Sequence, residues 1–294
     1  MSYLGIDIGG TKVAARLETA HLAYEEEIRW PPDPDPRRDL ALLGGLVRRL
    51  GPRGRHTAVG VASPATLDGA GRVVAWPNRP SWIGVDLVAA LRTHLDGAPV
   101  IVADDGSLAA LAEADAAGCP DLVYLGVGTG VGGGLVCDGE LFAGAAELGH
   151  LVVHPSGPTC SCGRDGCLQA IASGPATLRR ATHRRGVPTT GDDLIAAAHR
   201  GEGWAVGAVV ETAVALALAV VSLTEIVQPR RVHIGGGFGR AVPGLVPAVA
   251  HQVAALARTG MPLPVVAPAV LGARSSLHGA LLYARNAQPQ EAAG

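Results

Sequence analysis

Lysine is almost absent from this 294-residue sequence: Lys12 is the only one, and arginine supplies the rest of the positive charge. Beside the excess of Ala, Gly and Pro, that bias looks like high-GC coding and reflects the genome more than a mechanism. Net charge is small too, at −2, so there is no electrostatic footprint for nucleic acid or a membrane surface. A secretory signal is missing: MSYLGIDIGG reads as a strand and a glycine turn, without the basic start and apolar core of a leader. The most apolar segment, TAVALALAVVSL at 212–223, is bracketed by Glu211 and Glu225, is too short to span a bilayer and fits a buried core helix. Five cysteines, three of them packed into 160–167, do not make a disulfide framework. These absences lead to the expectation of a cytoplasmic protein with no nucleic-acid or membrane partner. A hydrophobic content of 48% over this length can bury one large core or two of medium size.

What is present is strand and glycine turn, repeated. Residues 3–8 alternate into a strand that ends at Gly9-Gly10, and VAARLE follows closely enough for a tight hairpin. WPPDPDPRR at 30–38 is too rich in proline for a helix or central strand and reads as an exposed loop. Helical spacing over 40–50, a strand at 57–62 and a helix at 85–95 lead to a buried strand, Val100-Ile101-Val102, that runs into Asp104-Asp105. After a helix over 107–117, DLVYLGVGTGVGGGLVCDGEL at 121–141 is again strand, glycine turn, strand, with a hairpin turn at Asp138-Gly139. Helices near 170–182, 192–200 and 204–227 follow. A last strand at 231–237 precedes helices around 242–257 and 274–285, and the terminal QPQEAAG should fray. Recurrence of one strand–turn–strand unit predicts two similar α/β halves.

Glycine turns expose backbone N–H groups that phosphate oxygens can accept from. Three occur here: Gly9-Gly10-Thr11, Gly128-Thr129-Gly130 and Gly235-Gly236-Gly237. None fits a P-loop or a Rossmann fingerprint. Together, with Asp7 just before the first, they read as a clamp for a Mg2+-nucleotide: Asp7 on metal-bound water, the Thr11 and Thr129 hydroxyls on phosphate oxygens. Cys160, Cys162 and Cys167, with an imidazole from His150 or His154, fit a Cys3His tetrahedral Zn2+ site. Four protein ligands leave no open position, so such a site would be structural.

DIGGTK, GTGVGGG, ELGH, CSCGRDGCL and IGGG, in this order, closely resemble the ROK family of bacterial sugar kinases and sugar-responsive repressors, from about residue 3 to 285. The resemblance implies the actin-like, hexokinase-type α/β fold: two domains hinged around a cleft, with ATP and sugar between them. A small domain over 1–105, completed by a C-terminal helix at about 274–294, would face a large one over 106–273 carrying the zinc-binding loop. It implies nucleotide contacts at Gly9, Gly10, Thr11, Lys12, Gly128, Thr129, Gly130, Gly236 and Gly237. It favours His150 over His154 as the fourth zinc ligand, and implies a homodimer or homotetramer. It also puts Asp105 at the catalytic aspartate, which takes the proton from the attacking sugar hydroxyl. The placement makes independent sense, because ligands bind at the C-terminal ends of strands in open α/β sheets. Ser107 is the better-placed cap for the following helix.

The sequence departs from the family pattern at sugar positions. Where sugar-kinase members carry Glu-Asn-Asp-Ala-Asn, this chain has Ala103-Asp104-Asp105-Gly106-Ser107. Gln169 replaces a glutamate after the third zinc cysteine, and Ala62-Ser63 replaces Pro-Gly, while Asn78 of WPN, Glu147 and His150 remain. Ser63, Asn78, Asp104, Glu147, His150 and Gln169 are therefore the expected acceptor contacts, with donors and acceptors redistributed against a glucose pattern. Leaving one buried polar group unpaired costs roughly 1–3 kcal/mol, so the expectation is a kinase for a sugar or sugar-like cyclitol other than ordinary glucose, acting on a primary hydroxyl. An ordinary glucokinase and a silent sugar-binding protein are the alternatives. No helix-turn-helix pattern precedes the first strand, against a repressor.

Overall fold

The computed structural model describes residues 1–50, 56–95 and 97–287; QPQEAAG at 288–294 lies outside the described residues. Two compact units emerge, Met1–Ala112 joined by the segment from Arg274 onward, and Glu113–Ala273.

In the first unit β1 (Ser2–Ile8) and β2 (Lys12–Thr19) form the expected hairpin, in register from Ser2↔Thr19 to Ile8↔Val13. A strand the sequence reading did not assign, β3 (Ala23–Arg29), adds to its outer edge. Its AYEEEIR is glutamate-rich, poor strand composition. Cross-strand pairing compensates: Arg16 lies opposite Glu25 and binds it at 3.1 Å. The Pro-rich loop is shorter than expected, because α1 (Pro36–Leu50) starts at Pro36. The Asp35 carboxylate accepts the Arg37 N–H at 2.9 Å and so caps it. β4 (Ala58–Ser63) is buried along its whole length, as befits a parallel strand covered on both faces. A small ribbon, β5 (Thr66–Leu67) with β6 (Val73–Ala75), leads to α2 (Leu87–His94) and β7 (Val100–Asp104). The sheet order is β3-β2-β1-β4-β7.

The next helix, α3 (Asp105–Ala116), begins two residues earlier than expected, and Ser107 does not cap it. Asp104 does: its Oδ1 accepts the Ser107 N–H at 3.0 Å. An N-cap must precede the first helical residue, and Ser107 is already inside the first turn.

The second unit repeats the plan. β8 (Leu122–Val127) and β9 (Val131–Cys137) form a hairpin, and Asp138 and Gly139, both at positive φ, turn the chain into β10 (Glu140–Leu141). After α4 (Leu168–Ala172), α5 (Gly174–Arg185) and α6 (Gly191–His199) comes α7 (Gly203–Val227). At 25 residues α7 takes in Glu211 and Glu225 and is long and apolar enough, by length and composition, to cross a membrane. Twelve of its residues are buried, and it packs on α4, α5, α6 and the later α9 (Leu245–Ala255). It is the core helix of this unit. β11 (Arg231–Gly235) is followed by α8 (Gly237–Ala241), so the third glycine turn joins strand to helix rather than strand to strand. β11 is not the last strand: β12 (Val265–Pro268) pairs with it in parallel. The order β10-β9-β8-β11-β12 copies that of the first sheet.

The chain then returns to the first unit as α10 (Ser275–Asn286), which packs on β1 and β4. Gly60 makes the approach possible, since a Cβ there would lie 1.9 Å from the Ala280 carbonyl oxygen.

Candidate active site

In the first unit the candidate residues share one edge of the sheet. Parallel register aligns Asp7 with Ala62 and Ala62 with Ala103, so Asp7, Ser63 and Asp104 mark the C-terminal ends of β1, β4 and β7. This is the ligand edge of an open α/β sheet. Asp105 follows as the first residue of α3, half-buried, while Asp104 is exposed. Ser63 is buried and its hydroxyl accepts the Ala65 N–H at 3.2 Å. Asn78 is exposed in the 76–79 segment, with its side chain against Gly10.

The first glycine turn closes with the Gly9 N–H donating to the Lys12 carbonyl at 2.9 Å, and leaves Thr11 exposed. Lys12 ion-pairs with Glu27 at 2.5 Å. Burial raises the Asp7 carboxyl to about 6, against the opposing pull of Lys12, with Glu27 adding to the rise. A half-buried carboxylate of raised pKa is a ready partner for a hydrated cation.

The second unit brings its own glycine turns together. Gly128 donates to the Gly130 carbonyl at 2.9 Å, and Gly174, at the start of α5, donates to the Gly128 carbonyl at 2.8 Å. Thr129 is exposed at the tip. Gly236 has φ of +78°, and a Cβ there would sit 2.3 Å from the Val127 carbonyl oxygen, so only glycine lets β11 pass into α8 beneath this turn. Gly237 opens α8, and the ring of Phe238 lies against Gly174. Gly128, Thr129, Gly130, Gly236 and Gly237 thus form one backbone platform.

A short 3-10 helix, Leu148–His150, follows Glu147, which is exposed and preceded by Ala146 at φ +46°. His150, Cys160, Cys162 and Cys167 converge, their donor atoms all within 4.8 Å of one another. Cys160 Sγ lies 3.7 Å from His150 Nδ1, and the Cys162 and Cys167 sulfurs are 3.6 Å apart. A zinc tetrahedron with bonds of about 2.3 Å has edges of roughly 3.8 Å, so this donor set fits the ion. Burial pushes the Cys167 thiol up to about 11, reinforced by hydrogen bonds with Cys162 and Cys160. Burial also acts to raise Cys160, but hydrogen bonds from the Cys162 backbone, Gln169, Cys162 and Ser161 outweigh it and bring it down to about 6. His154 is not part of the group. Gln169 donates to Cys160 Sγ at 3.3 Å, and its Oε1 lies beside Gly130, so it bridges the thiol loop and the phosphate-type turn.

Two polar clusters escaped the sequence reading. Glu113, fully buried in α3, sits 2.8 Å from His233 Nδ1 and accepts the Val270 and Leu271 N–H groups at 2.7 and 2.9 Å. Asp39 and Arg79 form a buried ion pair at 2.6 Å among Trp30, Trp76 and Trp82. Neither belongs to a motif; Glu113 stands out only as a charge inside the apolar stretch LAALAEADAA, and nothing in the polar, Pro-rich surroundings of Asp39 and Arg79 signals their pairing.

The ROK family's sequence profile matches residues 3–287. A kanosamine kinase from Amycolatopsis mediterranei is 50% identical over 290 residues, 96% of this chain and 95% of that protein. The solved ROK hexokinase of Thermus thermophilus superposes with a TM-score of 0.86 at 32% identity, over 97% of this chain and 98% of that one. A ROK family glucokinase from Streptomyces griseus, solved with glucose and AMPPNP, gives a TM-score of 0.80 at 26% identity, over 98% and 100% of the two chains. The shared architecture is the actin-like, hexokinase-type two-domain fold.

Proposed function

The chain belongs to the ROK family and is an ATP-dependent sugar kinase, and we propose that its acceptor is an amino sugar, phosphorylated at a primary hydroxyl with Asp105 as general base. One observation carries the reading: two adjacent carboxylates with separate duties at the ligand edge of the sheet. Asp104 caps α3 with one oxygen and is exposed, at a position where the resemblance expects asparagine. Capping therefore does not fall to Asp105. A carboxylate in place of a neutral amide suits a cationic acceptor, and kanosamine, the substrate named for the relative at 50% identity, is an amino sugar. A charge-assisted hydrogen bond to an ammonium is about twice as strong as a neutral one.

In this account Asp105 accepts the hydroxyl proton as the oxygen attacks the γ-phosphorus. Proton removal is late in phosphoryl transfer, so an ordinary carboxylate serves. Gly9, Gly10, Thr11, Lys12, Gly128, Thr129, Gly130, Gly236 and Gly237 would hold the nucleotide phosphates, with Asp7 on the hydration shell of Mg2+. The ion would supply charge neutralisation on the phosphates. His150, Cys160, Cys162 and Cys167 would hold a structural Zn2+ that fixes the loop bearing Glu147 and His150 toward the acceptor, with Gln169 completing it. Family resemblance supports a homodimer or homotetramer.

ADP release across a panel of hexoses, amino hexoses and cyclitols tests the reading. The expected result is fastest turnover on an amino hexose, with phosphorus coupled to a CH2 group in the product. Faster turnover on a cyclitol or on glucose refutes the amino-sugar assignment.

A further inference from the structure

The first glycine turn is held by its carbonyl oxygens. Trp30 Nε1 donates to the Gly9 carbonyl at 2.8 Å, and Arg79 Nε donates to the Gly10 carbonyl at 3.1 Å. The Trp30 backbone N–H takes the Thr11 carbonyl at 3.0 Å, and the Gly9 N–H takes that of Lys12. Every carbonyl from residue 9 to 12 is thus occupied. Among the described residues, the Gly10 and Thr11 N–H groups donate to nothing. In a trans peptide the C=O of one residue and the N–H of the next point in opposite directions. Fixing the Gly9 and Gly10 carbonyls therefore fixes the Gly10 and Thr11 amides on the opposite side, as adjacent donors of an anion-binding nest.

The two donors come from a single buried cluster. Arg79 is 3% exposed, binds the fully buried Asp39 at 2.6 Å, and stacks 5.0 Å over the Trp30 ring. Trp82 Nε1 adds a bond to Asp39 at 3.3 Å. Asp39 offsets the guanidinium charge, without which burial of Arg79 would be costly. Arg79 also follows Asn78, whose side chain lies on Gly10, so one segment carries both an expected acceptor contact and a support of the phosphate-type turn.

We propose that Trp30 and Arg79, backed by Asp39, are positioning residues that aim the Gly10 and Thr11 amides at a phosphate group of the nucleotide. This rests on the nucleotide reading of that turn. Neither side chain touches substrate; each acts through a backbone carbonyl, and the aim of the amides is set before ATP arrives.

Trp30→Phe is the cleanest test, because it removes the indole donor and leaves a ring under Arg79. Arg79→Lys keeps a cation for Asp39 but loses the planar fork. Leu43→Val, a core change in α1 of the same unit, serves as the packing control. Equilibrium binding of MgATP is measured alongside KM for ATP, KM for the acceptor and melting temperature. Trp30→Phe and Arg79→Lys should each weaken ATP binding by about tenfold, equivalent to about 1.4 kcal/mol, with acceptor KM changed less than about twofold. Leu43→Val should lower the melting temperature and leave ATP affinity alone. A Trp30→Phe protein that melts lower yet binds ATP like wild type overturns the proposal, as does a wild type that binds no ATP. A wild type that binds ATP but phosphorylates no sugar sinks the kinase reading, while the binding comparison still decides the role of Trp30 and Arg79.

Discussion

Asp104 and Asp105 are neighbours in sequence with different environments, one spending an oxygen on the Ser107 N–H and the other half-buried in the first turn of α3. Converting the proposed base Asp105 to its amide, which keeps its shape, should cost turnover and little else. Asp105→Asn is expected to lower kcat by about 10²–10⁴-fold with the melting temperature and ATP affinity near wild type; steady-state kinetics beside a binding isotherm checks this, and near-normal turnover contradicts the assignment. Asp7 makes a second residue-scale prediction. Its carboxyl is raised from 3.8 to about 6, mainly by burial, so the folded protein binds the proton more tightly than the unfolded chain. Stability contributed by that proton is present at low pH and is lost as pH rises from about 4 to about 6. Thermal unfolding without divalent cations should accordingly find Asp7→Asn more stable than wild type above pH 6, an advantage that shrinks toward pH 4. Equal pH profiles for the two proteins would count against the burial argument.

At the scale of elements, legibility followed local signals. The β1–β2 and β8–β9 hairpins, the Asp138-Gly139 turn and α7 were readable because periodicity and turn chemistry agree there. β3 was not, since three consecutive glutamates argue against a strand until Arg16 and Lys12 on β2, and Arg49 on α1, supply their partners. The cap of α3 was misassigned because two carboxylates and a serine compete within four residues, and only backbone geometry chooses Asp104. The loop that carries Cys160, Cys162 and Cys167 was legible from spacing, and the histidine the family resemblance favoured, His150, is the one the structure groups with them. One of its thiols, Cys167, holds its proton up to about pH 11 without a metal, so zinc uptake at neutral pH must release protons. Titrating metal-stripped protein with Zn2+ in weak buffer should show acidification at one equivalent, together with a rise in melting temperature. Uptake without either signal would argue against a four-ligand structural site.

For the molecule as a whole, the repeated strand–turn–strand pattern gave away two sheets of identical order, whereas the contacts that complete each unit come from far along the chain. α10 closes the first unit from residues 275–286, and β12 extends the second sheet from a stretch that holds Pro262, Pro264 and Pro268. Long-range partners of this kind leave no local periodicity. The same holds for Glu113, which reaches His233 across more than a hundred residues, and for Asp39 and Arg79. Substrate identity is likewise a property of the assembled protein, and it rests here on Asp104. The most direct measurement is kcat/KM for kanosamine against glucose, in wild type and in Asp104→Asn, which keeps a capping side chain for α3. Wild type is expected to favour kanosamine by about tenfold or more, and Asp104→Asn to lose most of this preference while melting like wild type, an ammonium–carboxylate contact being worth roughly 1.5–3 kcal/mol. Equal or better use of glucose by the wild-type enzyme, or a preference untouched by Asp104→Asn, would contradict the amino-sugar assignment.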